Sequence, residues 1–212
     1  MRILIVAATA AELDPCLSRM RATRGVDILV TGVGMVATAV RCAQTLALQK
    51  YDFALNLGVC GSFDPSLQPG TTVHVVSDCI AELGAEDGER FLTIQELQLL
   101  GNDEFPYRGG RLVNDAPPLN TALRDLQAVH GITVNTVHGN EPSIDVVVRR
   151  LQPQVESMEG AAFMYACLVQ GVPFAQVRAV SNIVERRNRS AWNLKDAIDN
   201  LSATAVAIIG HL

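Results

Sequence analysis

The 212-residue sequence predicts a single α/β domain over residues 1–212, three-layered, with helices on both faces of a central mixed, mostly parallel sheet. Three observations predict it. Short runs rich in Ile, Leu and Val recur along the chain and alternate with helix-patterned segments. The first of these runs, Arg2 to Ala8, is continuously apolar, the pattern of a strand buried on both faces. Composition agrees: 49% of residues are hydrophobic, 18% charged and 5% aromatic, which suits one compact domain with an aliphatic core.

Taken in order, Arg2 to Ala8 is the first strand, and Thr9-Ala-Ala-Glu12 leaves its carboxyl end into a helical start. Ligands of open α/β sheets sit at such turns, so Glu12 is a candidate for a site, although a first-turn acid is also an ordinary helix feature. Val26 to Thr31 reads as the second strand, Gly32-Val-Gly34 as its turn and Val36 to Leu48 as an Ala-rich helix. The Gly-x-Gly-x-x-Ala spacing ending at Ala37 invites a dinucleotide-binding reading. Against it, the acid expected after the next strand is missing, since Asp52 precedes the buried run Phe53 to Leu57 and lies at the wrong end to meet a ribose.

That third strand runs into a turn, Gly58-Val-Cys-Gly-Ser62. A cysteine between glycines after a strand is the pattern of a hydrolase elbow, with His138 and Asp145 as the partners it would need, but Ser62 displaces the pattern's second glycine. Thr71 to Ser77 alternates as a further strand after Pro69-Gly70, and its His74 has no second ligand at metal spacing. Ile80 to Phe105 is weakly patterned, with a short strand at Phe91 to Ile94. Gly110 to Asn114 reads as a short strand, Leu119 to Val129 as an amphipathic helix, and Ile132 to Val137 as a strand delivering His138-Gly139-Asn140-Glu141 to the carboxyl edge.

Ser143 to Leu151 is helical, with Pro142 at a first-turn position. Glu159 then stands where strand pattern gives way to helix pattern, ahead of a run (Ala161, Ala162, Phe163, Tyr165, Ala166, Cys167) too apolar for an exposed helix. Phe174 to Ser181 is the next strand. A helix over Asn193 to Ile209, apolar at Ala197, Leu201, Ala205 and Ile208, closes the chain on the sheet.

A formal charge of −5, with Lys and Arg concentrated only at Arg186-Arg187-Asn188-Arg189, argues against a nucleic-acid partner. Five cysteines with no Cys-x-x-Cys pair suggest neither a disulfide framework nor zinc, and no metal or other cofactor is expected. The opening apolar run is far too short to span a membrane and meets Glu12 and Asp14 where a leader would have its cleavage site, so a cytoplasmic protein without a membrane partner is expected.

Met158-Glu159 at the head of a small-residue helix, followed after a strand by Arg178-Ala-Val-Ser-Asn182, resembles the purine nucleoside phosphorylase and 5'-methylthioadenosine/S-adenosylhomocysteine nucleosidase superfamily. The run Val177 to Arg189, with Gly139-Asn-Glu-Pro-Ser143 and Asn56-Leu-Gly-Val-Cys-Gly-Ser-Phe63, is similar to the futalosine hydrolase family, its menaquinone-pathway branch. The similarity covers nearly the whole chain, with gaps between about Ile80 and Pro118. It implies a nucleosidase-like fold, a small-molecule nucleoside as partner, and a homodimer or larger homo-oligomer.

The resemblance also implies roles. Glu12 is the base that activates the attacking water, and Glu159 binds ribose hydroxyls. Gly58, Val59 and Cys60 contribute contacts around base and sugar, Val137, His138 and Gly139 pass the base pocket, and Met158 lies beside the substrate. At Asn182 the sequence departs from the adenine-cleaving nucleosidases, which carry aspartate there. An amide cannot hand over a proton, but its NH2 can donate to O6 of hypoxanthine while its carbonyl accepts from a protonated N7. A 6-oxopurine substrate is therefore expected. The proton donor to the base stays open between Glu185 and water. The turn around Glu12 carries an acid and no arginine, which favours water over phosphate as nucleophile. Arg186, Arg187 and Arg189 are candidates to meet the benzoate arm of futalosine.

Overall fold

The computed structural model describes residues Met1–His211. In chain order its elements are β1 (Ile3–Ala7), a 3-10 turn (Ala10–Glu12), α1 (Leu17–Ala22), β2 (Val26–Val30), α2 (Met35–Leu48), β3 (Phe53–Ser62) and β4 (Thr72–Asp78). A hairpin of β5 (Gly84–Asp87) and β6 (Arg90–Thr93) follows, then β7 (Leu112–Val113), α3 (Thr121–Arg124), β8 (Gln127–Thr133) and α4 (Glu141–Leu151). The chain ends with β9 (Val155–Ser157), α5 (Gly160–Gln170), β10 (Phe174–Ile183), a 3-10 turn (Arg189–Ala191) and α6 (Leu194–Gly210).

β2, β1 and β3 form a parallel wing. From β3 onward the sheet curls on itself: β3 pairs with both β10 and β9, β9 with β8, β8 with β4, and β4 with β10, so five strands form a closed ring. The β10–β4, β3–β9 and β4–β7 pairs are antiparallel and the others parallel, giving the mixed, mostly parallel sheet that the sequence predicts.

All of β1 is buried because its two faces serve different layers. Ile3, Ile5 and Ala7 pack with Leu55, Leu57 and Val177 under α6 residues Ala197, Leu201, Ala205 and Ile208. Leu4 and Val6 pack with Ala54 under Cys42 and Leu46 of α2 and Phe163, Met164 and Cys167 of α5. Each such large aliphatic side chain contributes roughly 1.5–3 kcal/mol on burial. Inside the ring, Cys60, Val73, Val75, Val129, Val155 and Val180 make a third cluster.

Three expectations are corrected. Gly58 to Ser62 is strand and not turn, because β10 runs alongside it in register from Arg178↔Gly58 to Ile183↔Ser62. The helix over Leu119 to Val129 shrinks to the single turn of α3, after which Gln127 is taken up by β4 in parallel pairing. The strand expected over Ile132 to Val137 is instead β8, ending at Thr133 where its pairing with β9 ends at Ser157, so His138 is reached by an irregular segment.

Candidate active site

Because β1, β2, β3 and β10 are parallel neighbours, their carboxyl ends lie at one edge. Glu12, in the turn after β1, is 9% exposed. Its Oε2 accepts from Thr9 N at 2.9 Å and Thr9 Oγ1 at 3.1 Å, and its Oε1 from Val59 N at 3.2 Å. Three donors thus fix the carboxylate over β3. A Cβ on Gly58 would stand 2.9 Å from Glu12 Oε1 and overlap Arg178 Nη1 outright, so glycine leaves the room in which these two groups face each other.

Arg178 is 1% exposed and held from behind. Its Nη2 donates to Asn56 Oδ1 and its Nε to Gln176 Oε1 at 3.1 Å. Gln176 Nε2 donates in turn to Asp78 Oδ2 at 3.1 Å, and Thr133 Oγ1 donates to Asp78 Oδ1 at 3.0 Å. Burial pushes the Asp78 carboxyl above the usual carboxylate range, opposed by those two hydrogen bonds and by the arginine charges. A buried guanidinium bonded to neutral amides keeps its charge available to the remaining side, where Glu12 sits.

Glu159 is the residue immediately before α5, not in its first turn, and makes no capping bond there. Its Oε1 accepts instead from Gly34 N at 2.9 Å. Gly34, with φ of 97°, occupies a backbone region that side-chain-bearing residues avoid, and it aims its N–H out of the start of α2. A carboxylate therefore stands where a dinucleotide would place its pyrophosphate, which removes that reading.

The far end of β3 builds a second cluster. Asn182 pairs with Gly61 in register. A Cβ on Gly61 would lie 3.4 Å from Asn182 Nδ2 and 3.5 Å from Glu156 Cγ. The Asn182 amide accepts from Ser181 Oγ at 2.8 Å and donates to Ile183 O at 3.0 Å, which fixes its orientation. Glu156, 3% exposed on β9, grips His138 twice, through the backbone N at 3.0 Å and through Nδ1 at 2.6 Å. Phe63 packs edge-on against the imidazole at 6.1 Å. From Gly58 to Gly61 is about 10 Å along a strand, close to the length of a nucleoside.

Around these clusters, Val59, Val137, Gly139 and Met158 are half-buried, whereas Glu185, Arg186, Arg187 and Arg189 are exposed. The basic loop touches the site segment through Arg187 N, which donates to Gly139 O at 3.1 Å, while the Arg187 guanidinium lies over Trp192 at 5.3 Å. Cavities of about 430 Å³ beside Arg111 and Arg150 and about 590 Å³ beside Phe105 and Tyr107 lie away from Glu12, Glu159 and Asn182. Among the described residues no group of three or more His, Cys, Asp or Glu is placed to hold a metal ion, and no helix is long and apolar enough to cross a membrane.

The family profile described as Phosphorylase superfamily matches residues 19–210. The chain belongs to the phosphorylase superfamily. Within the superfamily it is 33% identical to futalosine hydrolase of Acidothermus cellulolyticus, over 97% of this chain and 89% of that one. To futalosine hydrolase of Thermus thermophilus it is 31% identical, over 84% and 78% respectively. The 5'-methylthioadenosine/S-adenosylhomocysteine nucleosidase of Marinomonas sp. is 30% identical, again over 84% and 78%. The crystal structure of such a nucleosidase from Colwellia psychrerythraea, in complex with adenine, shares the fold with a TM-score of 0.80 at 20% identity, covering 100% of this chain and 96% of that one.

Against this superfamily fold the cysteine-hydrolase reading fails. Cys60 is 3% exposed inside the ring cluster, and its thiol is pushed up to about 12 by burial. Cys60→Ala is expected to leave kcat within about threefold and to cost roughly 1–2 kcal/mol of stability, read from base release and thermal unfolding. Two groups escaped the sequence reading. Arg178 belongs to a motif recognised there but received no role, and Glu156 received none; for Arg178 the available signal was a charge amid the strand pattern Phe174 to Ser181, and for Glu156, in the short Val155-Glu-Ser157, there was none.

Proposed function

We propose that this chain hydrolyses the N-glycosidic bond of futalosine, releasing hypoxanthine and dehypoxanthine futalosine for menaquinone biosynthesis in the cytoplasm. The observation that carries the hydrolytic reading is the pair of buried groups facing each other across Gly58, the carboxylate of Glu12 and the guanidinium of Arg178. Such a pair suits a water molecule: Arg178 Nη1 donates to its oxygen and Glu12 takes its proton as the oxygen bonds C1'. Glu159 accepts from ribose hydroxyls and sets its charge beside the oxocarbenium-like sugar. Asn182 takes the 6-oxopurine edge of the leaving base.

A phosphorylase would need cations free to hold a dianion at the nucleophile's place. The turn around Glu12 has none, and the one cation that β10 brings there, Arg178, already faces the Glu12 carboxylate, which would repel phosphate. The identity to futalosine hydrolases across most of both chains supports the choice of substrate. Exposed Val33, Val36 and Val40 at the start of α2, with Tyr165 and Val169 on the adjoining α5, support a homodimer or larger homo-oligomer that covers this apolar face beside Glu159.

The test is release of free base from futalosine, aminodeoxyfutalosine, inosine and methylthioadenosine, each with and without phosphate. Hypoxanthine from futalosine, indifferent to phosphate, is the expected result; phosphate-dependent release from inosine would make the chain a phosphorylase. In the same assay Asn182→Asp is expected to shift the ratio of 6-oxo to 6-amino substrate turnover by on the order of 10²-fold toward the amino compound. An unchanged ratio would remove Asn182 from base recognition.

A further inference from the structure

With Asn182 an amide, the reaction proposed above lacks an evident proton donor for the departing base, and Glu185, considered from the sequence, is exposed. Beside Asn182 the fold places the titratable group Glu156 and, bonded to it, His138. Glu156 Cγ and Asn182 Nδ2 both lie about one van der Waals contact from the Cβ position of Gly61. The carboxylate binds His138 at the backbone N and at Nδ1, and the imidazole side chain is 15% exposed, so part of the ring lies outside the carboxylate's grip. The loop that follows Asn182 closes back on this segment, Arg187 N bonding Gly139 O at 3.1 Å. The Glu156–His138 pair and Asn182 are thereby enclosed between β3, β9 and one loop.

We infer that His138, held by Glu156, is the general acid of this site and hands its proton to a ring nitrogen of the leaving base. The inference rests on the hydrolase reading. As the N9–C1' bond breaks, its electron pair moves to the base and the proton on His138 Nε2 joins the base, which leaves as neutral hypoxanthine. The imidazolium becomes a neutral imidazole that still donates Nδ1–H to Glu156. The water oxygen bonds C1' and its proton goes to Glu12. Loss of that proton from Glu12 and uptake of one by His138, both through solvent, restore the starting state. Glu156 is in this scheme a positioning residue.

A purely structural clamp would show the same contacts, so the test separates the two by leaving group. Futalosine methylated at N7 expels neutral 7-methylhypoxanthine and needs no proton. His138→Asn keeps an N–H for Glu156 at the place of Nδ1 and removes the transferable proton, and Glu156→Gln keeps one of the two acceptor oxygens that hold His138 and removes the charge. Expected are a loss in kcat on futalosine on the order of 10²-fold for His138→Asn, a smaller loss for Glu156→Gln, and changes under about threefold for both on the methylated substrate. Equal losses on the two substrates overturn the inference while leaving the hydrolase reading intact. Should both variants fail to fold, a solvent deuterium effect on kcat of the unaltered protein that shrinks with the methylated substrate, leaving the water-to-Glu12 transfer common to both, supports the inference, and an effect equal on the two substrates overturns it. Absence of turnover of futalosine by the unaltered protein sinks the functional reading, and this inference with it.

Discussion

Glu12→Gln is expected to lower kcat for base release by on the order of 10²–10⁴-fold while KM stays within a few-fold. The isosteric amide keeps the length and the exit from β1, but it cannot take a proton from water. It also turns an NH2 toward donors, because Glu12 accepts at both oxygens, from Thr9 on one side and Val59 N on the other. Whichever way the amide is turned, one acceptor is lost to a donor–donor contact, so a stability loss of about 1–3 kcal/mol should accompany the loss of turnover. Retained activity in a folded Glu12→Gln protein would remove Glu12 from water activation.

The second large effect is expected at Glu159. Here Glu159→Gln should cost on the order of 10²–10³-fold in kcat, because the lost charge acts on the sugar only as positive charge develops. Gly34 N at 2.9 Å can still be satisfied by the amide oxygen, so the fold should tolerate the change. A substrate analogue lacking the ribose hydroxyl gives the decisive comparison. If Glu159 acts through that hydroxyl, the original and variant proteins should converge on the analogue, and an undiminished gap between them would place the effect elsewhere.

The layers of the fold were readable wherever burial on two faces makes a strand apolar throughout. β1 is the clear case, with alternate residues feeding clusters under α6 and under α2 and α5. The sequence was silent wherever a distant strand decides the local conformation. Gly58 to Ser62 has turn composition, yet it is strand because β10 lies against it, and Gly58 is small because Arg178 needs the space. Leu119 to Val129 has helical spacing, but Leu119 is 95% exposed, and beyond the one turn whose Ala122, Leu123 and Leu126 pack on the core under α6 the chain is drawn into β8 beside β4.

At the candidate site the same division holds. Glu12 and Glu159 were candidates because each stands at an element boundary, where strand ends deliver side chains to one edge, whereas Asn182, within β10, was singled out by the resemblance. Arg178 and Glu156 lie within strands, and their importance comes from neighbours far away in sequence: Asn56 and Gln176 behind the one, His138 against the other. Spacing carries no record of those partners.

The closed ring also constrains how the molecule comes into being. Its last member, β10, is synthesised after every other strand, and both β3 and β4 wait for it, through Ala54↔Phe174 and Val73↔Arg178 among other pairs. A nascent chain short of Phe174 therefore holds two apolar strands with unsatisfied backbone edges, the condition under which intermediates associate with one another. Arg178 arrives with that same strand, so the guanidinium takes its place across Gly58 from Glu12 only at the closing step of folding. Completion of the candidate site and escape from aggregation thus become a single late event, and slow assembly is the natural companion of such distant pairings.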